Sequence, residues 1–185
     1  MTLRIATLIG GIVFSALAAL ASIMLVAPTQ EARASTTAAT TCGGGKIYVK
    51  QAEKNMLARH NKERAERGKP KLCFAPQLQR AARAHAKDMI QRDYFSHTTK
   101  GSGESFADRI RAEGYQYRTA GENIAYGSRS RGYPRNIMQS WMDSSGHRAN
   151  ILNESYRQVG IAVSNGNFKG TPNTKMWVAN FGTPL

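Results

Sequence analysis

The sequence predicts an α+β fold in which helices cover an antiparallel sheet. Three observations predict it. Helix-period apolar spacing recurs from Met56 to Trp141. Two apolar, strand-like runs close the chain, Val159 to Val163 and Lys175 to Phe181. The helical stretches precede the closing strands rather than alternating with them, the pattern of an α+β domain and not of a parallel βαβ sheet.

Met1-Thr2-Leu3-Arg4 is a short basic start, and Ile5 to Ala27 is apolar apart from Thr7, Ser15 and Ser22. Ala32-Arg33-Ala34 fits the small-x-small pattern of a signal-peptidase site. Residues 1–34 therefore read as a signal peptide or, since the run is long enough to span a bilayer, as an uncleaved membrane anchor. Both place the domain outside the cytoplasm, in the periplasm or the extracellular space. Ser35 to Gly45 is rich in Ser, Thr, Ala and Gly. Residues 35–47 read as a flexible leader with little to bury, and the folded domain spans 48–185.

Val49, Ala52, Met56 and Leu57 fall at helical spacing, and His60 and Arg64 continue the stripe. Those two are expected to pack and hydrogen-bond within the fold. Gly68-Lys69-Pro70 ends this helix. Pro76 opens the next. Leu78, Ala81, Ala82, His85, Ala86, Met89 and Ile90 give it the clearest amphipathic stripe, and its alanines predict close approach to another element. His85 in that stripe reads as a core or helix-edge histidine. A third helix starts near Ser105 and ends at Gly114. β-forming residues follow at Tyr117 and at Ile124-Ala125-Tyr126. Gly127 to Gly132 is a polar, arginine-bearing loop. A fourth helix runs from Pro134 to Asp143. Ser144-Ser145-Gly146 reads as a turn holding His147 at the mouth of a short helical segment that ends near Leu152. Asn165-Gly166 and Thr171-Pro172-Asn173 supply turn chemistry between the last strands. Trp141 and Trp177 sit in apolar segments and read as core.

Lys and Arg number 26 against 12 Asp and Glu, a formal net charge of +14. Loss of residues 1–34 lowers it by one unit. Such a field favours anionic membrane or cell-wall partners, or simply keeps the surface solvated. The charges are dispersed, without like-charge blocks or an aromatic ladder, which speaks against nucleic acid. Cys42 and Cys73 are either a disulfide permitted by an oxidising compartment or two unbridged thiols. Their separation specifies no metal site.

Several short motifs, in order, resemble the CAP superfamily of cysteine-rich secretory, antigen and pathogenesis-related proteins, and above all its short bacterial secreted (SCP-like) members. They are His60-Asn61-Lys62-Glu63-Arg64, Lys71-Leu72-Cys73, Phe95-Ser96-His97-Thr98, Gly121-Glu122-Asn123-Ile124-Ala125, and Trp141 followed by Gly146-His147-Arg148 and Asn150-Ile151-Leu152. The resemblance implies an α-β-α sandwich with a three-stranded antiparallel sheet between helices. It also implies an open cavity lined by two histidines and two acids. His97, Glu122 and His147 carry over. The fourth group falls at Ser144, with Asp143 beside it, so either is only a partial match.

Two imidazoles and a carboxylate suit zinc or another divalent cation. The ligand reading of His97, Glu122 and His147 rests on the resemblance, because histidines this far apart form no local metal motif. The same three are the candidates for acid–base chemistry, or they form a polar network that fixes nearby loops. Ser96, Ser144 and Ser145 lie near the histidines, but no Gly-x-Ser-x-Gly elbow is present. Three functions follow. The first is a secreted protein, not a conventional enzyme, binding a lipid-like or cell-envelope ligand. The second is a metal-assisted or histidine-based hydrolase of phosphodiesters or peptides. The third is an extracellular protein-interaction module using Gly127 to Gly132 and Ser164 to Thr174.

Overall fold

A computed structural model describes residues 36–185, and the signal-peptide or anchor segment 1–34 lies outside them. The elements in order are β1 (Thr36–Thr40), β2 (Lys46–Lys50), α1 (Gln51–Ala65), β3 (Cys73–Phe74), α2 (Pro76–Gln91), α3 (Phe106–Ala112), β4 (Tyr117–Ser128), a 3-10 turn (Arg129–Gly132), α4 (Pro134–Asp143), α5 (Ser145–Leu152), β5 (Gln158–Phe168) and β6 (Thr171–Pro184). The main sheet has the order β3-β5-β6-β4. Three long strands are antiparallel, and the two-residue β3 adds to β5 in parallel.

Side chains alternate across this sheet with the period of two that a strand imposes. On one face Val159, Ile161, Val163, Trp177, Ala179 and Phe181 pack with Met56, Ile137, Trp141 and Ile151 of α1, α4 and α5. On the other face Ala162, Met176 and Val178 pack with Ala82, Ala86 and Met89 of α2. The result is an α-β-α sandwich. The alanines of α2 do bring its backbone close. A Cβ on Gly160 would lie 2.1 Å from the carbonyl carbon of Leu78.

Beyond β3, side chains take over the pairing of the β5 edge. Gln79 accepts from Ile161 N at 2.8 Å and donates to Ile161 O at 2.6 Å. Glu53 accepts from Val163 N, and Lys50 Nζ donates to Val163 O. These bonds satisfy backbone groups that burial would otherwise penalise. Arg64 is fully buried and donates to the carbonyls of Pro70, Ile151, Asn153 and Tyr156, so α1 fastens the chain that follows α5. His60 lies between the rings of Trp141 and Phe181. Burial pushes its pKa down to about 4, opposed by the Met56 carbonyl and aided by Arg64.

The structure departs from the sequence expectation in three places. The stretch read as a flexible leader is a hairpin, with Thr36–Thr40 paired antiparallel to Lys46–Lys50. Its composition hid this because threonine also favours strands. The hairpin is anchored by packing of Ala39 and Ile47 on the core and by the Cys42–Cys73 disulfide, with Cα atoms 5.1 Å apart. Val49 consequently belongs to β2, and α1 starts at Gln51. Gly146 sits inside the first turn of α5, and the break from α4 is at Ser144 alone. The last hairpin is longer than expected. Asn165 and Gly166 pair with Lys175 and Thr174. The turn is the two-residue Lys169-Gly170, with φ of 46° and 74°, a geometry usually signalled by Asn-Gly.

The close approach of α2 predicts a contrast between two glycines. Gly160→Ala lowers the free energy of unfolding in urea by about 2 kcal/mol or more, because neither backbone can give way. Gly146→Ala faces open space and is neutral or stabilising by up to about 1 kcal/mol.

Candidate functional site

Glu122 lies in the middle of β4, opposite Asn180 of β6. Its side chain is 1% exposed. Both carboxylate oxygens are engaged. Oε1 accepts from His97 Nδ1 at 2.8 Å. Oε2 accepts from Arg109 Nη2 at 2.8 Å. The Asn180 amide, in the orientation that satisfies its surroundings, also donates to Oε2, at 3.0 Å. A carboxylate only accepts, so His97 carries a proton on Nδ1, and in the neutral form of the ring Nε2 is the nitrogen without one. The His97 ring is about half exposed, at 53% of its side chain.

Arg109 of α3 is the residue that sequence reasoning missed. It is buried, and besides Glu122 it reaches His97 O at 3.0 Å, Thr99 Oγ1 at 3.1 Å and Glu104 O at 3.1 Å. One guanidinium thus pairs the carboxylate and fastens the loop carrying His97. The signal in the sequence was an arginine on the face of α3 that also holds Ile110. His85 contributes from α2. It is 1% exposed, and its Nε2 bonds Ser96 O at 2.8 Å. Burial lowers its pKa, with Glu122 opposing.

His147 arrives on α5, tied to β4 by amides. Asn123 Nδ2 donates to His147 O at 3.0 Å, and Asn150 Nδ2 donates to Asn123 Oδ1 at 2.9 Å and Glu122 O at 3.3 Å. Gly121 permits this approach. A Cβ there would meet Tyr156 Oη at 2.6 Å and Asn150 Oδ1 at 2.8 Å. The Gly121-Glu122-Asn123 run therefore supplies clearance, an anchor for His97 and an anchor for α5. His147 Nδ1 is buried with no partner. Burial, and then the nearby charge of His97, hold the His147 pKa below its ordinary value.

The structure joins His97 directly to Glu122 and ties the His147 backbone to Asn123, the residue next to Glu122. It leaves Asp143 on the exposed side of α4, where it accepts from Gln139, and Ser144 at the junction of α4 and α5. Ser96 Oγ is occupied by Thr98 N in a local turn.

A zinc centre with three protein ligands does not fit this geometry. Glu122 would have to turn an oxygen already bonded to His97 or Arg109 toward the metal, and loosening the bonds of a buried carboxylate is costly. Among the described residues no three His, Cys, Asp or Glu side chains are grouped as a metal-binding set. Glu122 instead stands behind His97 as an orienting carboxylate. The groups free to meet a ligand are the His97 and His147 imidazoles.

This arrangement predicts that Arg109→Met costs about 3–5 kcal/mol in urea unfolding, because it strands the Glu122 charge. Hydrogen exchange of the amides in 97–104 should rise with it. Unchanged stability and exchange would contradict the role given to Arg109.

Comparison with known proteins agrees with this architecture. Residues 57–181 match the family described as CAP, the cysteine-rich secretory protein family. YkwD of Bacillus subtilis (strain 168) is 37% identical over 113 residues, which are 61% of this chain and 42% of that protein. The membrane protein YlbC of the same organism is 35% identical over 114 residues, 60% of this chain and 31% of that one. The chain thus spans less than half the length of these relatives. Among solved structures, an extracellular protein containing an SCP domain from Bacillus anthracis str. Ames superposes with a TM-score of 0.62 at 26% identity, covering 76% of this chain and 47% of that one. An outer surface protein from Borrelia burgdorferi shares the fold, with a TM-score of 0.63 at 20% identity over 76% of this chain and 98% of that one. The ordered motifs, the sandwich and the family match over most of the described residues lead to one statement: the chain belongs to the cysteine-rich secretory protein (CAP) family.

Proposed function

We propose that this CAP domain works outside the cytoplasm as a binding protein, holding a lipid-like or cell-envelope ligand against the paired imidazoles of His97 and His147. One observation carries the reading. Glu122 is locked between Arg109 and His97, so the site offers two imidazoles as hydrogen-bonding groups and no free carboxylate. Phe95, two positions before His97 and 39% exposed, rests edge-on against Tyr126 and leaves apolar surface on the loop that carries His97. The strongly positive net charge, +14 for the whole chain, draws the domain to anionic envelope surfaces.

An extracytoplasmic place is supported by the export-type N-terminal sequence and by the Cys42–Cys73 disulfide, which persists in oxidising compartments. It is supported too by the extracellular and outer-surface descriptions of the two structural relatives. No helix among the described residues is long and apolar enough to cross a membrane.

A second reading has its own support. The Glu122–His97 bond is the arrangement that readies a histidine as general base. A hydrolase built on it would use water as nucleophile, with the two imidazoles as base and acid. A divalent cation held by the two imidazoles and solvent is compatible with either reading.

The test is sedimentation of the full chain with phosphatidylglycerol vesicles and with phosphatidylcholine vesicles, alongside turnover of a chromogenic phosphodiester and of a peptide. The binding reading expects preference for the anionic vesicles. It also expects about tenfold weaker binding in His97→Ala and His147→Ala, each still folded, as loss of a hydrogen bond to a charged group would give. Zinc titrated by calorimetry should bind weakly, with loss in either variant. Turnover that vanishes in His147→Ala while vesicle binding persists would establish the hydrolase instead.

A further inference from the structure

We propose that a pocket at the far end of β4 binds an anionic saccharide, a sugar unit bearing a phosphate or a carboxylate. The pocket lies between the end of β4, the turn after it, α4 and the β5–β6 hairpin, and its volume is about 510 Å³. Small-molecule sites span roughly 300–1,000 Å³. None of His97, Glu122 or His147 lines it. The inference goes beyond the histidine site and does not rest on it.

The lining carries the chemistry. Arg131 and Lys169 supply two cations, and no carboxylate lines the pocket. Neither cation forms a salt bridge among the described residues. Unpaired positive charge in a concave site selects an anion. Tyr126 is 49% exposed, and its ring centroid is 4.8 Å from that of buried Phe168. This aromatic wall offers apolar area to the C–H face of a sugar ring, with a phenolic hydroxyl at its edge. The hydroxyls of Ser128 and Thr171 add groups that both donate and accept, as a polyhydroxylated ligand requires. A bare inorganic anion would leave the aromatic wall and the hydroxyls unused.

Both cations stand on fixed backbone. Gly127 and Gly132 close the Arg131 turn on itself. A Cβ on Gly132 would lie 2.3 Å from Gly127 O, and one on Gly127 would lie 2.7 Å from the Arg131 carbonyl. The buried indole of Trp177 donates to Gly132 O at 2.9 Å and pins the turn. Across the pocket, Lys169 has φ of 46°. Asn or Gly would occupy that left-handed position at lower cost. Lys169 N donates to Asp93 Oδ1 at 2.6 Å, which holds the turn. The fold thus carries a strained lysine where a relaxed residue would serve the hairpin, and that lysine lines the pocket with its ammonium over the Phe168 ring, 5.5 Å from the centroid. Strain of this kind is characteristic of working positions.

The test titrates the full chain by calorimetry with four probes: glucose 1-phosphate, glucuronate, glucose and inorganic phosphate. At least one of the charged sugars should bind saturably, at least about tenfold more tightly than glucose or phosphate alone, and which of the two is preferred assigns the anion. Arg131→Ser and Lys169→Asn should each weaken that binding about tenfold, the scale of a hydrogen bond to a charged group. Lys169→Asn should keep or raise Tm, since asparagine tolerates the left-handed backbone, so the loss cannot be charged to unfolding. His97→Ala should leave the sugar titration unchanged. The proposal is overturned if neither charged sugar saturates, if phosphate alone binds as tightly, or if both pocket variants bind like the parent chain.

Discussion

The buried pairing of Glu122 with Arg109 is the interaction on which the site depends. Each ion alone would cost several kcal/mol to bury. Together they sit 2.8 Å apart, with His97 and Asn180 completing the carboxylate and the loop carbonyls completing much of the guanidinium. The pair joins three elements that are distant in sequence: β4, α3 and the loop after α2. The position of His97 follows from it. So does the tautomer of His97, and with it the identity of the nitrogen that faces outward.

The sheet supplies the frame on which that pairing can be made. β4 runs through twelve residues, pairs with β6 without a break from Thr119 to Ser128, and serves two places. Its middle carries Glu122 and Asn123, which hold His97 and α5. Its end carries Tyr126 to Ser128, which line the pocket beside α4. At each place a loop or turn presents one of the key side chains, His97 or Arg131, and a buried group fixes it. Arg109 fastens the loop of His97, and the Trp177 indole fastens the turn of Arg131. Ligand-facing groups on loops held by a rigid scaffold are how most folds separate stability from function.

Much of this was legible in the sequence because it depended on local pattern. The 3.6-residue stripe located α2, Pro134 located the start of α4, and Ser105 located α3, where it forms a capping box with Asp108. The ordered motifs carried His97, Glu122 and His147, of which the first two bond each other and the third is tied to β4 through Asn123. What escaped were features that depend on long-range partners. The threonine-rich start became a hairpin through a disulfide and core contacts. A Lys-Gly turn replaced the expected Asn-Gly, because the long strand β6 pairs along both β5 and β4 and sets the register. Arg109 escaped because its importance lies in a carboxylate thirteen positions away. Glu122 was legible as a member of the site, but its engagement on both oxygens needed the fold.

Glu122 as the orienting partner of His97, with the imidazoles as the groups that face a ligand, is the central claim. The most direct measurement is nitrogen-15 NMR of the histidine side chains of the full chain at neutral pH. Neutral His97 should be a single tautomer, protonated on Nδ1 with Nε2 unprotonated, and Glu122→Gln should weaken this preference without unfolding the domain. Rapid averaging of the two tautomers in the parent chain, or a proton resident on Nε2, would contradict the claim by showing that the carboxylate does not set the ring.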